Sequence, residues 1–257
     1  MTDGDASGRR TRTTDTAFDV IERLGELGPT SVSRLATALD LSKSTVHGHL
    51  STLEERGYVV RDEEGYRLGL RFLDLGTQVR DGREIVDHVE EPMERLAEAT
   101  GERTQFMIEE GGRGIYVHRA ESSRAVPTDA RIGRSRPLHA CSTGKAILAH
   151  LPDARVDAIV DRRGLPALTE RTITDREELA AELATVRERG YATNRGESIA
   201  ELWAIGTPVF DENDDLAGAL SVGGPGHRMR RDDRFEGELV NQLLGTVEEI
   251  ELNVSYR

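Results

Sequence analysis

Cysteine is almost missing from this chain: Cys141 is the only one in 257 residues. A single thiol excludes a disulfide framework and any CxxC zinc pattern. Lysine is nearly as scarce, because Lys43 and Lys145 are the only two among 34 basic residues. Aromatic residues make up 4%, so the cores must be mostly aliphatic. No stretch approaches the ~18 consecutive apolar residues of a membrane-spanning helix. The polar stretch 1–16 lacks the apolar run of a secretion signal. These absences point to a soluble cytoplasmic protein with no membrane partner.

What is abundant is acid. The 47 Asp and Glu exceed the basic residues enough to give a net charge of −13. That balance argues against a membrane-surface or non-specific polyanion binder, but leaves room for one small recognition patch. An acid excess with almost no lysine is the composition expected of a halophilic archaeon, although an ordinary acidic protein has it too. The length allows one large domain or two ordinary ones.

Residues 1–14 read as a polar tail carrying Arg9, Arg10 and Arg12, a possible basic arm. A helix follows, with Phe18, Ile21, Leu24 and Leu27 at three-residue spacing, ended by Gly28-Pro29. Ser31 is placed to cap a second helix whose Val32, Leu35, Ala36 and Leu39 follow the amphipathic spacing. Ser42 is placed to cap a third, with Val46, Leu50 and Leu53 on one side and Gly57 at its end. Tyr58–Arg61 and Tyr66–Leu68 flank an acidic turn and read as a hairpin. Three short helices and a hairpin in ~55 residues make a winged helix-turn-helix, expected over 15–72. Helical stretches 70–79 and 85–99 are expected to form a linker, 73–101, and a dimer surface. From residue 102 to 257, glycine-bounded strands alternate with helices, the pattern of a separate α+β domain.

The third helix has an unusual charge pattern. No Asp or Glu occurs from Leu41 to Leu53, in a chain where acids are so common. Its polar side offers Ser42, Lys43, Ser44, Thr45, His47, His49 and Thr52. Hydroxyls and a cation suit phosphates, and donors suit base edges in a major groove. A solvated polar helix has the same composition. Arg61 and Arg67 sit where a wing would meet the DNA backbone.

With these residues in hand, the chain resembles the IclR-type transcriptional regulators. The matching strings are Leu41-Ser42-Lys43-Ser44-Thr45-Val46-His47, Leu50-Ser51-Thr52-Leu53, Gly57-Tyr58-Val59 and Tyr66-Arg67-Leu68-Gly69. The resemblance continues through Arg136-Pro137-Leu138-His139-Ala140, Thr143-Gly144-Lys145-Ala146, Arg189-Gly190-Tyr191-Ala192 and Ser221-Val222-Gly223-Gly224-Pro225. It implies an α/β (α+β) fold with a C-terminal GAF-like effector-binding domain. It also implies double-stranded promoter DNA and a small-molecule effector, an organic or sugar acid, as partners. A homodimer or homotetramer acting on a catabolic pathway is expected, with no cofactor or metal. Relatives commonly carry Arg-Leu after the His47 position, where this chain has Gly48-His49.

The resemblance places the effector against Ser142, Thr143, Asn194, Leu202, Ala204, Ser221 and Gly223, and the glycine at the helix start, Gly144, is added to that site. The residues support one part of this independently. Ser142 or Thr143 can cap the helix that follows, and its free N–H groups would form a carboxylate seat; plain capping is the simpler use. Arg131, Arg134 and Arg136 lie just upstream. The competing enzymatic reading is a hydrolase or acyl-transfer centre at Ser142-x-x-Lys145, but neither Ser-Asp-Asn nor Lys-Thr-Gly accompanies it. His139 and Cys141 fall short of a metal ligand set. Trp203, the lone tryptophan, is expected in core or dimer packing rather than in a pocket.

Overall fold

The computed structural model describes residues 11–124, 131–230 and 234–256. These fall into two compact units, one ending at Val79 and the other starting at Arg80.

The first unit contains α1 (Arg12–Leu27), α2 (Val32–Leu39) and α3 (Lys43–Glu55), followed by β1 (Val59–Asp62) and β2 (Gly65–Leu68). Ser31 and Ser42 cap α2 and α3, each accepting a hydrogen bond from the amide three residues on. Leu35 and Ala36 of α2, Val46 and Leu50 of α3, and Val59 of β1 bury together with α1. The face expected for α1 needs correction. Phe18 is 59% exposed, while Val20 and Leu24 are buried. Strict three-residue spacing drifts by about 60° per step on a helix, so Phe18 and Leu27 point to opposite sides. Arg12 opens α1 rather than ending a tail, and Arg9 and Arg10 lie outside the described residues. The β1–β2 hairpin is pinned to the α1–α2 loop by paired bonds between Thr30 and Tyr66.

Helix α4 (Arg71–Asp81) contains the boundary between the units, and α5 (Ile85–Thr100) opens the second. The second unit continues with β3 (Arg103–Glu110), β4 (Arg113–Glu121) and β5 (Ser135–Arg136), then a 3-10 turn, Leu138–Ala140. After it come α6 (Ser142–His150), α7 (Asp153–Arg163), α8 (Arg176–Arg189), β6 (Ala192–Arg195), β7 (Leu202–Phe210) and β8 (Leu216–Pro225). A short α9 (Gly226–Met229), a π turn (Arg234–Glu238) and α10 (Leu239–Ser255) follow. The strands form one antiparallel sheet in the order β5-β4-β3-β8-β7-β6.

Strand alternation sends side chains to two cores. Met107 and Ala219 face α6, α7 and α8, whereas Phe106, Ile205, Leu220 and Val222 face α5 and α10. Helix α5 therefore does not behave as a free linker. Its Val86, Val89, Met93 and Leu96 are buried in its own unit, which removes that face from the expected dimer surface. Helix α4 buries none of its residues and leaves Leu73, Leu75 and Val79 exposed. The start of α6 is pressed onto the sheet. A Cβ at Gly206 would lie 2.7 Å from Ser142 backbone, and one at Gly144 only 2.1 Å from the Leu138 carbonyl oxygen. Those two glycines bring the first turn of α6 against β7 and the 3-10 turn.

Candidate functional sites

On α3 the apolar residues Val46 and Leu50 face inward and leave one polar side open. Ser42, Lys43, Ser44, Thr45, His47 and Thr52 are exposed, and His49 is half-buried because it sits beside the core line. Several of these groups already have local partners. Ser42 Oγ accepts from the Thr45 amide at 3.1 Å and lies 2.8 Å from Thr45 Oγ1 and 2.9 Å from Ser44 Oγ. Thr52 Oγ1 donates to the Gly48 carbonyl at 3.1 Å, and His47 Nδ1 lies 3.3 Å from Ser51 Oγ. Lys43 makes no ion pair among the described residues. A Cβ at Gly48 would touch nothing within 4 Å, which marks the solvent-facing side of the helix.

The hairpin is less open than the sequence implies. Arg67 Nε donates to Asp62 Oδ2 at 2.9 Å, and this bond holds the Asp62 carboxyl below its usual range. Arg61 lies over the Tyr66 ring at 5.4 Å. An arriving phosphate would have to displace Asp62 from Arg67, but meets no acid on Arg61.

In the second unit, all seven residues placed by resemblance surround one cavity of about 50 Å³. They are Ser142, Thr143, Asn194, Leu202, Ala204, Ser221 and Gly223. Gly144 is not among them, since its bare Cα serves the contact with the 3-10 turn. Trp203 does line this cavity, contrary to expectation, while also packing edge-on against Phe235. Arg103, Gln105, Tyr116 and Ser198 line it too, and sequence reasoning missed them. The signal was strand register. Arg103 pairs with Gly223 and Gln105 with Ser221, so they share the face of residues already singled out.

The cavity polar groups divide into used and unused. Asn194 is used: its Oδ1 accepts from the amides of Gly196 and Glu197, and its Nδ2 donates to Ser198 Oγ at 2.7 Å. It shapes the 195–201 loop and has little left for a ligand. Thr143 Oγ1 donates to Met107 Sδ at 3.3 Å. Neither Ser142 nor Thr143 caps α6; Cys141 occupies the N-cap position with no capping side-chain bond. The first bond of the helix is Lys145 N to Cys141 O at 2.9 Å, so the amides of Ser142 and Thr143 precede it. Ser142 is 2% exposed, and its hydroxyl has no hydrogen-bond partner among the described residues. Gln105 Nε2 is likewise buried without a partner.

Cations stand in the same wall. Arg103 is 5% exposed, with Nε 3.1 Å from Glu121 Oε1. Burial pushes its guanidinium below its usual range, and Glu121 pulls the other way. Burial raises the Tyr116 phenol and the Cys141 thiol, so both stay protonated at neutral pH. A buried thiol of that kind is a poor nucleophile and metal ligand. Burial also lowers His139, whose Nε2 sits 3.2 Å from the Pro166 carbonyl oxygen. Among the described residues no group of three or more potential ligands gathers to hold a metal.

The Ser142-x-x-Lys145 reading needs the lysine ammonium at the serine hydroxyl. Instead Lys145 Nζ donates to Glu197 Oε1 at 2.9 Å and Glu182 Oε1 at 3.1 Å, and no bond to Ser142 occurs. The acyl-transfer alternative has no geometric support.

Comparison with known proteins matches this arrangement on both units. Residues 13–63 match the IclR helix-turn-helix domain, and residues 77–252 match the C-terminal domain of the bacterial transcriptional regulator IclR. A probable HTH-type transcriptional regulator, ArcR of Halobacterium salinarum, is 30% identical over 250 residues, covering 96% of this chain and 95% of its own. The crystal structure of the Thermotoga maritima IclR superposes with a TM-score of 0.79 at 27% identity, covering 96% of this chain and all of that one. An IclR homologue from Microbacterium hydrocarbonoxydans, solved with 4-hydroxybenzoate, gives 0.73 at 25% identity, over 94% of this chain and all of that one.

Proposed function

The chain belongs to the IclR family of transcriptional regulators, and from that premise we propose that its effector is a small carboxylic acid seated at the start of α6. The carrying observation is Ser142, a residue only 2% exposed at an uncapped helix N-terminus, whose hydroxyl forms no hydrogen bond among the described residues. Two amides and a hydroxyl there can take a carboxylate's oxygens. Arg136 stands in the same wall, as does Arg103, whose charge Glu121 already offsets. At ~10–15 Å³ per water, a cavity of this volume suits an acid of a few heavy atoms. The Microbacterium homologue's ligand is itself a carboxylate.

The protein is a DNA-binding regulator under effector control. In our reading α3 enters the major groove with Lys43, Ser44, Thr45 and His47 foremost. Arg61 of the hairpin reaches the backbone. Two such heads are joined in a homodimer or homotetramer through faces such as the exposed apolar residues of α4. Effector binding shifts the preferred spacing of the heads, at a coupling of ~1–3 kcal/mol. A cytoplasmic location, control of a catabolic pathway and a salt-rich host belong to the same reading, the last from composition and the Halobacterium relative.

The test is a thermal-shift titration with acetate, pyruvate and succinate, alongside footprinting on promoter DNA. At least one acid should stabilise the protein and alter the footprint. Ser142→Ala should weaken that acid by roughly tenfold, the worth of one charge-assisted hydrogen bond, without abolishing the footprint. Undiminished acid binding in Ser142→Ala would overturn the seat. An unchanged footprint in both Lys43→Ala and His47→Ala would overturn the recognition helix.

A further inference from the structure

Outside the inner cavity, the second unit carries a larger open groove of about 480 Å³ between the end of β6, α9 and the π turn. Its walls combine Arg195, Arg230, Arg234 and the acid Glu236 with Trp203, Phe235 and Met229. Arg195 and Arg230 lie over the Trp203 ring with their guanidinium carbons 5.4 and 5.1 Å from its centre. Stacking of this kind buries the guanidinium face and leaves the in-plane N–H donors free for an anion.

The charge balance in the groove is uneven. Arg195 pairs with Glu236, and Arg234 reaches Glu102 at 3.3 Å. Arg230 has only a bond from Nε to the Gly226 carbonyl at 3.2 Å, and no carboxylate partner among the described residues. The groove is also half apolar, through Trp203, Phe235 and Met229.

We propose that this groove is a second ligand site, separate from the inner cavity, for an organic carboxylate with an apolar body of several carbons. The carboxylate binds the free N–H edge of Arg230, with Arg195 beside it, and the body lies along Phe235 and Met229. The two sites touch through Trp203, which lines both, and through β6, where Asn194 faces the inner cavity and Arg195 the groove. A ligand in the groove that draws Arg230 off the indole is therefore felt at the inner cavity as well.

Trp203 is the only tryptophan and lines both sites, so its fluorescence reports on either one and the variants tell them apart. The full-length protein is titrated at constant ionic strength with hexanoate, and in parallel with acetate and inorganic phosphate, with calorimetry on the same samples. Hexanoate should bind saturably, and roughly tenfold more tightly than either smaller anion, as burial of two or more methylenes requires. Arg230→Gln should weaken hexanoate by roughly tenfold through loss of one charge-assisted contact, and Ser142→Ala should leave it unchanged. Absence of saturable binding by both methods would overturn the proposal, as would phosphate binding as tightly as hexanoate. Hexanoate binding kept in Arg230→Gln but lost in Ser142→Ala would place the acid in the inner cavity and overturn it too.

Discussion

Replacing Lys145 with methionine should destabilise the second unit strongly, and in a way that depends on pH. The lysine is 1% exposed, and its Nζ lies 2.9 Å from Glu197 Oε1 and 3.1 Å from Glu182 Oε1. Methionine fills a similar volume but leaves Glu197 buried with no counter-ion. Glu182 is better placed, since it keeps Arg189 at 3.4 Å and more solvent. Breaking a buried pair from one side costs about 3–5 kcal/mol. For a unit of this size, that is a fall in Tm of roughly 6–20 °C. Burial already holds the Glu197 carboxyl above its usual range against the pull of Lys145. Between the unfolded and folded values the native state holds a proton that the unfolded chain has released. Stability is therefore highest below the unfolded value and falls as pH rises through the folded one. Without Lys145 that window extends upward. The deficit of Lys145→Met should then be greatest near pH 8 and shrink towards pH 5. Adding Glu197→Gln should recover most of it, because no buried charge remains. Urea unfolding of the four proteins in this cycle, at both pH values, checks the reasoning. A deficit equal at pH 5 and pH 8, or a double variant no more stable than Lys145→Met, would refute it.

Gly48→Ala should stabilise the first unit by about 1 kcal/mol, the helix-propensity difference, because the new Cβ meets nothing. Calorimetry should show the transition of that unit rising by roughly 4–8 °C; a fall would mean residue 48 is not on an open helical face. His118 is buried with both ring nitrogens lacking partners among the described residues; burial lowers its pKa, Glu90 and Glu94 raise it, and Arg80 lowers it. Between the depressed folded value and the ordinary histidine value of about 6.5, the unfolded chain binds more protons. Its contribution is thus present above the unfolded value and lost as pH falls through the folded one. His118→Leu should flatten the stability–pH curve below pH 6.5 relative to wild type, and parallel curves would contradict the assignment. Finally, DNA affinity should fall with salt at a slope set by only about two phosphate-facing cations per protomer, near −0.9 for each. A slope twice as steep would mean that cations other than Lys43 and Arg61 carry the contact.

The two capped helices of the first unit were legible because caps and amphipathic spacing are local. Ser31 and Ser42 do what their positions predict. The errors arise where a pattern gives a period but not a partner. Residues 18, 21, 24 and 27 have a three-residue repeat, and only the 3.6-residue turn decides which of them bury. The apolar stripe on α5 was read correctly as a stripe, yet it covers the sheet of its own unit rather than a second subunit. In the inner cavity, the residues on β7, β8 and α6 follow from the family resemblance, whereas Arg103 and Gln105 appear only once β3 is known to pair with β8. The polar chemistry was the least legible part. Asn194 and Thr143 look like ligand contacts in the sequence, and the structure spends their hydrogen bonds on the 195–201 loop and on Met107.

The charge pattern gains meaning when each cation is asked what it faces. Many of the described arginines are clamps, such as Arg67 on Asp62, Arg95 on Glu249, Arg176 on Asp157, and Arg228 on Glu102. In each of these pairs one guanidinium N–H meets one carboxylate oxygen. In a solvent of ~1 M salt the screening length is about 3 Å, so only contact pairs of this kind survive. Cations committed to such clamps contribute little to attracting an outside anion. Cations outside such clamps, Arg61 among them, are the ones left to meet an outside anion. Lys43 stands on the acid-free side of α3, and Arg230 stands stacked on Trp203 at the outer groove, each with no carboxylate partner among the described residues. The net charge of −13 therefore says little about partners by itself, and the places where an acid is withheld say more.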